Sequence, residues 1–181
     1  MGRYLPWLAG KCRAAGVELV RYSVDRLTDL PGDVVVLAAG LRSGALVGDG
    51  AAVPVQGQVV RLANPGLRDW VLDEDNPAGL TYVVPRDEDV VCGGTAVAGA
   101  TGVGPDPAVE AAILRRVRAL VPALRDAAVT SRAVGLRPGR PTVRLDRTET
   151  GGRPLICCYG HGGAGVTLSW GCAADVVALA G

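Results

Sequence analysis

The sequence predicts a mixed α/β fold in which an α/β layer flanks an antiparallel sheet, and three observations point there. Near the N-terminus, a helix-period segment, a strand candidate and the continuous apolar run "VVVLAAG" follow one another. From about residue 51 the texture changes to short strand candidates separated by Gly, Pro, Asn and Asp. The last third returns to a strand, "PLICCY", a glycine-rich turn and a mostly apolar tail of helical length.

Each element has a local reason. Tyr4, Leu5, Leu8, Cys12 and Ala15 recur at three- and four-residue intervals, which predicts an amphipathic helix over residues 3 to 15, docked by one face and ended by Gly16. "VELVRYSV" then reads as a strand. After the turn-like "LPGD", the run from Val34 to Gly40 suits a strand buried on both faces of a parallel sheet. In the middle third, "VPVQGQVVRLA", "WVLDED", "LTYVVPRD" and "DVVCGGTAV" read as strands of an antiparallel sheet. Next comes a helix with Asp106 as N-cap and Pro107 at its first position, and with Val109, Ile113, Val117 and Leu120 at helical spacing. Pro122 ends it. The tail from about Val166 to Leu179 is apolar enough to predict a buried helix. These changes of texture divide the chain at residues 1–50, 51–135 and 136–181.

Composition limits what the chain can be. With 181 residues, 49% of them hydrophobic, and a net charge of +1, it supports one ordinary domain or two small lobes with a real core. The cations are almost all arginines spread along the chain, so nucleic acid is not suggested as a partner. No apolar run approaches the roughly 20 residues that span a bilayer, and no apolar signal core opens the chain, so no membrane partner and a cytoplasmic location are expected. Five cysteines form no CxxC pair, and one histidine is too few for a typical His-based metal site. Reduced, unligated thiols are therefore expected.

Two motifs carry chemistry. "CYGHGGAGVTLSWG", Cys158 to Gly171, runs from a strand through glycines into a helix, a geometry that aims unpaired backbone N–H groups at whatever lies over the turn. Its glycines allow positive φ or let a large flat ligand approach the main chain; a tight crossover packed on another strand is the alternative. "VGLRPGRPTVRLD", Val134 to Asp146, sets Arg137, Arg140 and Arg144 among prolines and glycines. A stiffly held guanidinium suits bidentate capture of a carboxylate, and a solvated arginine-rich turn is again the alternative.

Taken together and in this order, "GLRPGRPTVRLD" and "YGHGGAGVTLSWGCA" resemble the C-terminal motif pair of the FAD-dependent D-amino-acid oxidase family. Upstream, "DVVVLAAGLRSGAL" looks like that family's strand and glycine turn beside the flavin, and "LTYVVPRDEDVVCGG" like a strand region of its substrate domain. The resemblance implies the C-terminal part of a two-domain fold: residues 1–50 and 136–181 in the FAD-binding domain, and 51–135 in the substrate domain. Members of the family begin with a strand, a GxGxxG turn and a helix that hold the ADP part of FAD. No such segment occurs here. A truncated oxidase, a fragment, a homo-oligomer or a separate chain supplying that half are the expectations, with poor FAD retention and a tendency to associate for the chain alone.

Residue by residue, the resemblance implies that Arg137 and Tyr82 clamp the substrate carboxylate and that the Gly163 carbonyl accepts from the substrate amine. Backbone contacts to FAD are implied at Val24, Ala39, Gly162, Gly165, Val166 and Thr167, with Arg137 also beside the flavin. The implied reaction is oxidation of a D-amino acid by FAD to an imino acid that hydrolyses to a 2-oxo acid and ammonia. Dioxygen is the final acceptor and hydrogen peroxide the product. No side chain is required as a catalytic base, and His161 reads as a packing residue. A D-aspartate oxidase, a glycine oxidase and a non-catalytic amino-acid-binding remnant are the alternatives.

Overall fold

The computed structural model describes all 181 residues, which form two compact units, Met1–Pro31 and Gly32–Gly181. The first contains helix α1, Tyr4–Ala14, which closes through Gly16 at φ +85. The helix forms where its period predicts, but none of its residues is buried. The strand predicted at residues 17–24 does not form. A strand needs a ladder partner for its backbone groups, and none pairs with this segment, whose Val17, Leu19, Val20 and Tyr22 stay exposed.

The second unit contains two sheets. In the smaller, β1 (Val35–Leu37) pairs in parallel with β9 (Arg153–Tyr159), which pairs antiparallel with β8 (Arg144–Thr150). The parallel pairing matches the expectation, but burial on both faces does not. β1 is an edge strand, and while Val35 and Leu37 are buried, Val36 between them is 47% exposed. Side chains alternate across a strand, so a face without a covering layer leaves its residue to solvent.

The larger sheet is the predicted antiparallel one. It contains β2 (Val53–Ala63), β3 (Val71–Asp73), β4 (Thr81–Pro85), β5 (Asp89–Gly93), β6 (Val97–Ala98) and β7 (Val129–Gly139). Its main path runs β3-β4-β5-β2-β6, with β7 also paired to β2. One face is the core. Val60, Cys92 and Val83 stand in one cross-strand row, fully buried, and Ile113 and Val117 of α3 (Pro107–Leu120) join the same cluster. The cap is as the sequence predicts: the Asp106 carboxylate accepts from the Ala108 amide at 2.7 Å and the Val109 amide at 3.4 Å.

A short helix α2, Arg42–Val47, follows β1 through Gly40 at φ +58. The last helix, α4, spans Gly165–Ala180 and lies against β8 and β9. It forms where the apolar tail predicts, but it is not buried. None of its residues is buried, and Trp170 and Val177 are 63% and 71% exposed. A mostly apolar helix covered on one face only must show the other to solvent.

Candidate active site

The face of the large sheet opposite α3 carries Tyr82 and Arg137, two of the residues the sequence singles out. Tyr82 precedes core residue Val83 on β4, Gly93 follows core residue Cys92 on β5, and Tyr82 and Gly93 are register partners. On β2, Gly57 lies three residues from core residue Val60, and Val55, the partner of Arg137, lies five away. Odd separations put all of them on the non-core face.

Two strand glycines make room there. A Cβ at Gly57 would fall on the Arg137 guanidinium, and one at Gly93 would fall on the Tyr82 ring. Large side chains thus lie flat across bare backbone. Arg137 Nη1 donates to the Thr95 carbonyl at 3.1 Å, and Thr95 is held in turn, its Oγ1 accepting the Gln58 amide at 2.8 Å. Gln58 points to the core face, where it bonds the main chain of Asp106 in both directions, at 2.8 and 2.9 Å. The N-cap of α3 therefore also steadies the loop that orients Arg137.

Tyr82 and Arg137 meet. Burial pushes the Tyr82 phenol above its ordinary value, and the neighbouring guanidinium pulls it part of the way back. The phenol therefore stays protonated at neutral pH and can donate. Gly163 joins them from the other sheet's loop: a Cβ there would stand 3.8 Å from Arg137 Cδ, in ordinary van der Waals contact. That loop is pinned by the Gly162 amide on the Pro138 carbonyl, 2.8 Å, next to Arg137 in sequence. A guanidinium, a phenol and a glycine main chain from three elements converge on one place.

The start of α4 adjoins them. The first intrahelical bond runs from the Leu168 amide to the Ala164 carbonyl at 3.0 Å, so the amides of Gly165, Val166 and Thr167 precede it. All three residues are exposed, and Ala164 supplies no side-chain cap. Gly162, at φ +55, has nothing within 4 Å on its Cβ side. Ala39 follows the C-terminal end of β1 as this loop follows that of parallel β9, the position at which open α/β sheets bind ligands. An open cavity of about 560 Å³ between the small sheet and α4 is lined by Val36, Gly40, Tyr159, Gly165 and Val177. Uncapped amides beside bare glycine and an apolar wall fit a flat, electron-rich ring system. Val24 lies in the first unit, in a segment without regular structure.

Arg140 and Arg144 do something else. Tyr159 Oη donates to Asp49 Oδ2 at 2.7 Å, Arg140 Nε donates to the same oxygen at 2.9 Å, and Arg144 Nη1 donates to Tyr159 Oη at 2.9 Å. The Tyr159 hydroxyl foremost, with the Ala51 amide and Arg140, lowers the Asp49 carboxyl to about 2. This network ties the end of α2 to β8, β9 and the turn after β7. It lies outside the reading of the arginine motif as a solvated turn, and Asp49 carries no motif that would have singled it out.

Residues 1–179 match the family described as FAD dependent oxidoreductase, and the chain belongs to that family. Among curated relatives, it is 52% identical to a D-amino-acid oxidase of Rubrobacter xylanophilus, over 100% of this chain and 56% of the relative. It is 44% identical to a D-amino-acid oxidase of Streptomyces coelicolor, over 99% of this chain and 57% of that protein. A human D-aspartate oxidase is 37% identical over 97% of this chain and 52% of its own length. The chain thus spans about half the length of the curated relatives it matches. Among solved structures, glycine oxidase from Bacillus cereus superposes with a TM-score of 0.70 at 26% identity, over 81% of this chain and 42% of the other. No helix is long and apolar enough to cross a membrane.

Proposed function

We propose that the chain carries the substrate clamp and the flavin-facing loop of an FAD-dependent D-amino-acid oxidase. The observation that supports this reading best is the convergence of Arg137, Tyr82 and Gly163 beside the uncapped start of α4. In this reading Arg137 holds the substrate carboxylate through its guanidinium fork, with the Tyr82 hydroxyl donating a further bond. The Gly163 carbonyl accepts from the amine. With both groups fixed, one enantiomer presents its α-hydrogen to the cofactor face.

Within the second unit, the residues that would hold FAD are Ala39, Arg137, Gly162, Gly165, Val166 and Thr167. When bound, FAD supplies the acceptor for the hydride from the α-carbon. The amides of Gly165, Val166 and Thr167 and the dipole of α4 then favour negative charge arriving at the edge of the ring. No side chain of this chain takes the α-hydrogen as a proton. The imino acid product hydrolyses to a 2-oxo acid and ammonia, with dioxygen as final acceptor and hydrogen peroxide as co-product. Residues 1–50 and 136–181 belong in this reading to the cofactor domain, and 51–135 to the substrate domain. The exposed Val36 and the outer face of α4 support association with a second copy or another chain in the cytoplasm.

The test is peroxide release from the FAD-supplemented protein with D-alanine, L-alanine and D-aspartate. Release with D-alanine, lost in Arg137→Met, supports the reading. Preference for D-aspartate would move it toward the human relative's activity. No release with any of the three, together with no amino-acid binding, would contradict it.

A further inference from the structure

The count of one histidine argued against a metal site, yet the fold gathers Cys158, His161 and Cys172 so that their ligand atoms all lie within 4.8 Å of one another. They come from three places: the end of β9, the glycine loop and the third turn of α4. None takes part in the clamp at Arg137 and Tyr82. The His161 Nε2 to Cys172 Sγ separation is 3.4 Å. A tetrahedral ion with metal–sulfur bonds of about 2.3 Å and metal–nitrogen bonds of about 2.0–2.1 Å has a sulfur–nitrogen edge of about 3.6 Å. The observed edge therefore needs little adjustment to accept one.

We propose that Cys158, His161 and Cys172 form a binding site for a thiophilic d¹⁰ cation such as Zn²⁺, with three protein ligands and a fourth position open to the cavity between the small sheet and α4. The donor set is two sulfurs and one imidazole, which soft and borderline cations prefer over hard ones. All three residues line the cavity between the small sheet and α4. All three are half-buried, which lets an ion enter while packing holds their positions.

Binding replaces each thiol proton with a metal–sulfur bond, so an ion that takes both sulfurs as thiolates releases up to two protons. No oxidant takes part. Cys157, next in sequence to Cys158, is fully buried on the other face of β9 and is no ligand.

The test titrates Co²⁺, then Zn²⁺, into the full chain kept reduced with a phosphine. One equivalent of Co²⁺ with a near-ultraviolet sulfur-to-cobalt charge-transfer band, displaced by one equivalent of Zn²⁺, is the expected result. Cys172→Ser should weaken Zn²⁺ binding at least tenfold and shrink the band, His161→Ala should weaken binding at least tenfold while keeping it, and Cys12→Ala should change neither. His161→Ala lies in a loop, so it reports on the site even if Cys172→Ser fails to fold. Binding of less than half an equivalent, affinity unchanged in the folded variants, or a Cys158–Cys172 disulfide persisting in reductant would each overturn the proposal.

Discussion

The Arg137 side chain lies across the main chain of Gly57, in the space that a Cβ on residue 57 would occupy. A mid-strand glycine costs sheet stability; here its bareness sets the height of a guanidinium above the sheet. Gly57→Ala should therefore displace Arg137 and raise the Kd for D-alanine by roughly tenfold or more, the scale of one lost charge-assisted bond. Calorimetric titration checks it, and unchanged affinity in a folded variant would separate Gly57 from the clamp.

In the proposed clamp Tyr82 is the second arm, and its loss should be milder. Tyr82→Phe keeps the ring over Gly93 and removes one neutral donor, an effect of about 1 kcal/mol or roughly fivefold in Kd. The fold should be unaffected, as far-ultraviolet circular dichroism will show.

Asp49 gives the protein an acid limit. Its carboxyl sits at about 2 when folded, against an ordinary 3.8. A depressed folded value means that the contribution to stability is complete above about pH 5 and declines as pH falls from near 4 toward 2. The melting-temperature gap between wild type and Asp49→Asn should be constant from pH 5 to 7 and narrow below pH 4. A gap independent of pH would remove Asp49 from the account.

The helix on the core face has a separable cap and core. Asp106→Ala should cost about 1 kcal/mol through the lost bonds to the Ala108 and Val109 amides. Ile113→Ala, at a fully buried position, should cost about 2–5 kcal/mol. Denaturant unfolding distinguishes the two. Because the main chain of Asp106 also holds Gln58, the cap variant tests whether the clamp responds to the far side of the sheet.

What the sequence made legible was local. The α3 cap, its 3.6 period and the strand-glycine-helix order of the C-terminal motif all appear because their causes lie within a few residues of one another. What it left hidden depends on partners distant in the chain. Residues 17–24 have strand composition but no strand to pair with. Val36 has the apolarity of a buried residue but no layer over it. The Asp49–Tyr159 bond joins residues 110 apart. The Cys158–His161–Cys172 cluster was discounted by counting histidines, whereas its donors are mostly sulfur and meet only once α4 folds onto β9. Gly57 left one readable signal, a glycine inside a strand pattern, which marks a close approach by something large.

If Arg137, Tyr82 and Gly163 recognise an amino acid by its carboxylate and amine, D-alanine titrated by calorimetry into the FAD-supplemented protein binds saturably and one-to-one, and Arg137→Met weakens that binding at least tenfold. Equal affinity in both proteins, or no saturable binding to the wild type, would contradict this recognition.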